Sequence, residues 1–205
     1  MLVSVQGRPI LHHLLTYLST AGVRNFVLCV GHHAREIERF ARTIGGLDGK
    51  IRCVNSGDVS MTDRILDAVQ NVSSPTLICY GDTLADVDLD ALELTHRRTG
   101  ALATVTVYPL RSPFGIVEFD NDARVLGVRE KPVLPYWINI GFLRCDPQAF
   151  RHMKQESDLV EFCAALSEIG ALSAFQHRGQ HITVNTEKDL MDAEAQIIRF
   201  ATVAD

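Results

Sequence analysis

The chain has 205 residues, 46% of them hydrophobic and 22% charged, enough apolar material for one globular domain with a sizeable core. Its net charge of −5 comes from interspersed acids and bases, which argues against nucleic acid as a main partner. No apolar run approaches the ~20 residues of a membrane span, and the first five residues lack the charged and long apolar regions of a signal peptide.

In chain order, residues 9–21 read as a helix. Pro9 suits its first turn, Ile10, Leu11, Leu14, Leu15 and Leu18 form an apolar stripe at helical period, and Gly22 ends it. Residues 26–30 read as a short buried strand that turns at Gly31. A helix over 34–44 is closed by Gly45-Gly46, and a strand over 51–54 runs into the loop Asn55-Ser56-Gly57-Asp58. Residues 62–69 read as helix, 76–80 as strand, and 89–98 as helix ended by Gly100. Strands alternating with helices argue for a parallel, doubly wound sheet. The character then changes. Residues 103–108, 115–119, 125–129 and 137–143 are strand-like, with turn signals such as Asp120-Asn121-Asp122 between them. Short helices follow at 147–153 and 158–169, a last strand at 173–177, and a final helix at 186–201, where Thr186 and Asp189 have the spacing of a capping box. There is no internal repeat and no linker. The whole chain, 1–205, reads as one domain, with 1–100 a nucleotide-binding half and 101–205 a substrate-binding half.

The most informative stretch is the strand at 76–80. An apolar run this compact suits a strand buried on both faces. Gly81 permits a sharp turn, and Asp82 then stands at the carboxyl end of the strand, where open α/β sheets bind ligands. A carboxylate there suits Mg²⁺ carried by a nucleotide phosphate; equally, it could begin a turn. The five cysteines (Cys29, Cys53, Cys79, Cys145, Cys163) are far apart and read as buried free thiols of a reducing compartment. The eight histidines lack metal-ligand spacing. No G-x-G-x-x-G follows the early strands, which disfavours a dinucleotide-dependent oxidoreductase. The apolar Met1-Leu2-Val3 hints at a covered, dimeric start.

Several segments, taken in order, resemble the sugar-phosphate nucleotidylyltransferase family: Gly7-Arg8-Pro9-Ile10, Val30-Gly31-His32, Tyr80-Gly81-Asp82, Phe114-Gly115-Ile116-Val117, Glu130-Lys131-Pro132 and Asn139-Ile140-Gly141-Phe142. Ser60-Met61-Thr62-Asp63-Arg64-Ile65 resembles the glucose-1-phosphate cytidylyltransferase branch. Residues 183–189 look more like mannose- or heptose-1-phosphate guanylyltransferases. The resemblance implies a Rossmann-like, doubly wound mixed sheet of the nucleotide-diphospho-sugar transferase type. It implies transfer of a nucleotidyl group from CTP or GTP to a sugar 1-phosphate, with Mg²⁺ as cofactor, in the cytoplasm, for NDP-sugar and polysaccharide biosynthesis.

By the same resemblance Asp82 is a catalytic metal ligand, and Lys131 meets the phosphate of the sugar 1-phosphate. Glu130, Trp137, Asn139 and Gly141 surround the sugar, while Thr62, Arg64 and Gly81 meet the nucleotide. Two departures stand out. The family opens with a strand and a basic, glycine-rich loop that wraps the triphosphate; neither appears, and the strand would lie between 26–30 and 76–80. Its loss should leave backbone groups unpaired unless the sheet closes up or another chain fills the gap. The family's later metal-binding aspartate falls on Asn185, whose carbonyl can ligate Mg²⁺ without charge. Two readings stay open: a start internal to a longer reading frame, or a short, catalytically impaired paralogue that binds sugar phosphate or nucleotide as a partner subunit.

Overall fold

The computed structural model describes residues 2–184 and 186–197. Strands β1 (Ser4–Val5) and β2 (Arg8–Pro9) form a small antiparallel pair that leads into α1 (Ile10–Thr20). β3 (Asn25–Val30), α2 (Ala34–Thr43), β4 (Lys50–Asn55), α3 (Met61–Val69), β5 (Thr76–Cys79), β6 (Thr83–Ala85) and α4 (Leu89–Thr99) follow. The second half holds β7 (Ala103–Arg111), the hairpin strands β8 (Ile116–Phe119) and β9 (Val125–Arg129), and the long β10 (Val133–Cys145). A 3₁₀ turn (Pro147–His152), α5 (Leu159–Glu168), β11 (Leu172–Gln176), β12 (His181–Thr183) and α6 (Glu187–Gln196) complete it.

Local chemistry sets the helix ends. Ser60, Asp88 and Asp158 each accept a backbone N–H of their own first turn, and Thr186 with Asp189 forms the expected capping box. Gly100 closes α4 at φ 65°, a left-handed angle glycine adopts without strain. The apolar stripe of α1 is buried as its period implies. Leu2, at the apolar start, packs against the same core.

The sheet is mixed, but it is not the continuous parallel sheet that the first hundred residues imply. Four strands lie in the order β11-β7-β10-β5, with β10 antiparallel to both β7 and β5. The parallel pair β3-β4 stands apart from them. Among the described residues β5 is therefore laddered on one edge, to β10, and β3 on one edge, to β4. Backbone alternation says which groups face outward. Tyr80 N–H donates to Gly141 O at 3.0 Å, in line with the β5–β10 register, so Leu77 and Cys79 turn their N–H and C=O away from β10. Lys50 N–H donates to Arg24 O at 2.8 Å, so Asn25, Val27 and Cys29 turn theirs away from β4.

Between these two edges lies a cavity of about 1010 Å³, lined by β3, β5, α1 and α3. The two helices cover opposite faces. Leu77 and Cys79 pack in the cluster that holds α1, whereas Ile78 packs in the cluster that holds Ile65 of α3.

Candidate active site

The cavity lining runs along β3 and β5 from Asn25 and Thr76 at their amino ends to Val30, Gly81 and Asp82 at their carboxyl ends. β3 passes into Gly31, β4 into Ser56 and Gly57, and β5 through Tyr80 into Gly81 and Asp82. Gly31 has no room for a side chain: a Cβ would lie 2.5 Å from Gly57 O and 2.7 Å from Arg64 Cζ. The Arg64 guanidinium, carried by α3, thus lies against the Gly31 turn, 4.0 Å from an Asp58 carboxylate oxygen. Arg64 Nε and Ser56 Oγ are buried with no hydrogen-bond partner among the described residues. A buried polar group left so costs ~1–3 kcal/mol, which favours a ligand that brings acceptors. Asp82, half-buried, accepts a long hydrogen bond from Thr83 Oγ1 at 3.5 Å. Gly81, Asp82 and Arg64 line the same cavity.

Gly141 is held against this turn by the Tyr80–Gly141 backbone bond. Its own N–H donates to Asn139 Oδ1 at 2.8 Å, where β10 shifts register against β7. The Asn139 oxygen is thereby committed to the backbone, which leaves its NH₂ end for a ligand. Further back on β10, Trp137 lies under the Arg178 guanidinium, 4.9 Å from the ring centre. Glu130 and Lys131 precede β10. Both are exposed, with Nζ 3.9 Å from Glu130 Oε1, and Arg111 donates to Lys131 O at 3.2 Å. The cavity lining that contains Asp82 includes neither these two residues nor Trp137 and Asn139.

Thr62 is fully buried; its hydroxyl donates to Ser157 O at 2.9 Å and accepts from Ser157 N–H at 3.1 Å. It ties α3 to the segment before α5, while the helix cap is Ser60. Asn185 lies outside the described residues; β12 does bring Thr183 opposite Thr83, next to Asp82. No three His, Cys, Asp or Glu side chains among the described residues cluster as metal ligands. A cation at Asp82 would draw its remaining ligands from phosphate oxygens and water, a mode that suits Mg²⁺.

A second polar group was not legible in the sequence. Asp86 accepts the Gln180 N–H at 2.5 Å and stands 3.1 Å from His177 Nε2. A Cβ at Gly179 would come within 2.3 Å of that carboxylate, so glycine lets the 177–180 turn wrap it. Next to it, the His181 ring lies 5.1 Å from that of Tyr108. Burial first, then the nearby His177, push the His181 imidazole down to about 4 from 6.5. The unfolded chain therefore takes up this proton first as pH falls. Stability present above pH 6.5 is lost on the way down to about 4. The melting temperature is expected to fall across that window, and His181→Gln to flatten the fall. An unchanged slope in the variant would show that His181 is solvated.

Comparison with known proteins finds relatives across most of the chain. Residues 1–179 match the family described as nucleotidyl transferase. A probable glucose-1-phosphate cytidylyltransferase of Bacillus subtilis (strain 168) is 27% identical, over 93% of this chain and 85% of its own length. The glucose-1-phosphate cytidylyltransferase of Salmonella typhimurium is 26% identical, over 92% of this chain and 83% of its own. The crystal structure of HddC from Yersinia pseudotuberculosis complexed with GMP-PN superposes with a TM-score of 0.72 at 16% identity, over 96% of this chain and 88% of that one. At that identity the likeness shows the fold. Family match, relatives and fold agree across nearly the whole chain, which belongs to the nucleotidyl transferase family.

Proposed function

We propose that the chain joins a sugar 1-phosphate to the α-phosphorus of CTP or GTP, releasing pyrophosphate and an NDP-sugar. The observation that carries this reading is the corner where Asp82, Gly81 and Arg64 line one cavity, with the Arg64 Nε buried and unpartnered. The two cytidylyltransferase relatives favour CTP; the likeness of residues 183–189 to guanylyltransferases favours GTP. An anionic phosphate oxygen of the sugar forms the new bond to the α-phosphorus as the bond to pyrophosphate breaks, so no general base is needed. The work of the protein is positioning and charge neutralisation.

Arg64 meets the nucleotide phosphates, and Thr62 holds α3 in place beneath them. Lys131 meets the sugar phosphate; Glu130, Trp137 and the amide of Asn139 meet the sugar. Gly81 and Gly141 let the backbone approach. Mg²⁺ on Asp82, with Asn185 as a neutral second ligand, would offset triphosphate charge. The free thiols favour a cytoplasmic setting, and no helix among the described residues is long and apolar enough to cross a membrane. A homo-oligomer is part of the same proposal. It is supported by the apolar face that Val117, Phe119, Val125 and Val128 expose on the β8–β9 hairpin, and sedimentation tests it.

The test is pyrophosphate release from CTP, GTP, UTP or dTTP with a panel of sugar 1-phosphates. A folded protein that is silent across the panel overturns the proposal. Lys131→Ala is expected to raise KM for the sugar 1-phosphate about tenfold, ~1.4 kcal/mol, with triphosphate affinity unchanged. An equal loss for both substrates would remove Lys131 from the sugar-phosphate site. The alternative reading is binding of sugar phosphate or nucleotide without turnover. It predicts thermal stabilisation by Mg-CTP with no pyrophosphate formed.

A further inference from the structure

Lys131 breaks two backbone rules at once. It precedes Pro132, and a residue before proline favours extended backbone. It also carries a side chain, which makes a left-handed angle costly. Its φ is nevertheless 43°. Such a conformation persists only where surrounding contacts impose it, and strain of this kind gathers at ligand clamps.

The contacts come from one short segment. β7 ends at Arg111, which pairs with Val133 at the start of β10, and the hairpin ladder resumes at Ile116 and Arg129. Between those two ladders, residues 112–115 face residues 130–132. Ser112 N–H donates to Pro132 O at 2.9 Å, and Arg111 Nη1 donates to Lys131 O at 3.2 Å. A Cβ on Gly115 would stand 3.1 Å from Glu130 Oε2, so the bare glycine gives that carboxylate its place. Of these contacts the Arg111 bond acts on Lys131 itself. It fixes the direction of the Lys131 carbonyl, hence the ψ of that residue, and with φ the direction in which the side chain leaves. No ion pair among the described residues engages the Arg111 guanidinium, so this carbonyl is what holds it. We infer that Arg111 is a positioning residue: by gripping the Lys131 carbonyl it keeps the strained turn that aims the Lys131 ammonium at the sugar phosphate. This rests on the reading of Lys131 as the sugar-phosphate contact, and it adds a residue that lies outside the Glu130-Lys131-Pro132 motif.

The test is a double-mutant cycle on pyrophosphate release, read with the best sugar 1-phosphate of the panel, glucose 1-phosphate being tried first. Arg111→Ala is expected to raise KM for that sugar 1-phosphate about fivefold, with kcat and the KM for the Mg-triphosphate unchanged. Adding Arg111→Ala to Lys131→Ala should raise KM no further than Lys131→Ala alone, about tenfold rather than fiftyfold. Multiplied losses would make Arg111 a phosphate contact in its own right. An unchanged KM in Arg111→Ala, beside a raised one in Lys131→Ala, would leave Arg111 no role. Either result overturns the inference and spares the reading of Lys131. An unchanged KM in Lys131→Ala, or a silent panel, removes that reading and the inference with it. The strain has a readout that needs no turnover. In denaturant unfolding Lys131→Gly should be more stable than Lys131→Ala, because glycine meets φ 43° without strain. An alanine variant that is equally or more stable would show the turn to be unstrained, which overturns the inference as well.

Discussion

Asp82→Asn is expected to lower pyrophosphate release at least about 100-fold, ~2.7 kcal/mol of barrier, while leaving sugar 1-phosphate affinity unchanged. The substitution keeps the side-chain volume and one acceptor oxygen but removes the charge. Among the described residues this carboxylate receives a long bond from Thr83 Oγ1, so little local structure depends on it. The loss should therefore fall on metal-bound triphosphate and not on folding. A second readout avoids dependence on turnover: Mg-CTP should raise the melting temperature of the parent chain, and the Mg²⁺-dependent part of that rise should vanish in the variant. If both readouts match the parent, the metal is held elsewhere and the proposed site is wrong.

Gly141→Ala carries the largest expected cost in stability, about 3–5 kcal/mol in denaturant unfolding. Gly141 has φ 76°, and a Cβ there would lie 2.2 Å from Tyr80 Cδ2 and 2.5 Å from Tyr80 Cγ. A left-handed angle costs a side-chain-bearing residue ~1–2 kcal/mol, and overpacking typically adds ~1–3. Tyr80 cannot retreat freely, because its N–H is bonded to Gly141 O. Since Tyr80 leads directly into Gly81 and Asp82, the same change should reduce nucleotide binding. Tyr80→Ala combined with Gly141→Ala should recover the overlap part and leave the backbone part. A single variant that loses less than about 1 kcal/mol would mean that the Tyr80 ring swings aside at no cost.

The strand before Asp82 was legible as a compact apolar run closed by Gly-Asp, although it ends at Cys79. The helix α1 was legible through its leucine period, and α6 through Thr186 and Asp189. β6 and β12 were not: each spans three residues, too short for a period, and they pair only through contacts nearly a hundred residues apart. The full length of β10 was not legible: residues 137–143 read as strand, whereas it runs Val133–Cys145, with register shifts against β7 on either side of Trp137–Asn139. That β10 runs antiparallel to β5 depends on long-range pairing, which periodicity does not carry. Of the site, Asp82, Arg64 and Gly81 proved to share a cavity. The Ser56–Gly57 contribution and the Asp86–His177–Gln180 group depend on loop folding that no single segment encodes. Among the described residues the sheet is interrupted between β3 and β5, the place the family pattern gives to a central strand.

The interruption also sets the order in which the molecule comes apart. Among the described residues β3, α2 and β4 share no ladder with the larger sheet; packing and hydrogen bonds to α1 and α3 attach them. Such a limb opens as its own cooperative unit at lower free energy than the remainder. Limited proteolysis should therefore nick the turn after α2, around Gly45-Gly46, well before the four-stranded half is cut. The β3–α2–β4 limb is therefore expected to open first and the four-stranded half last.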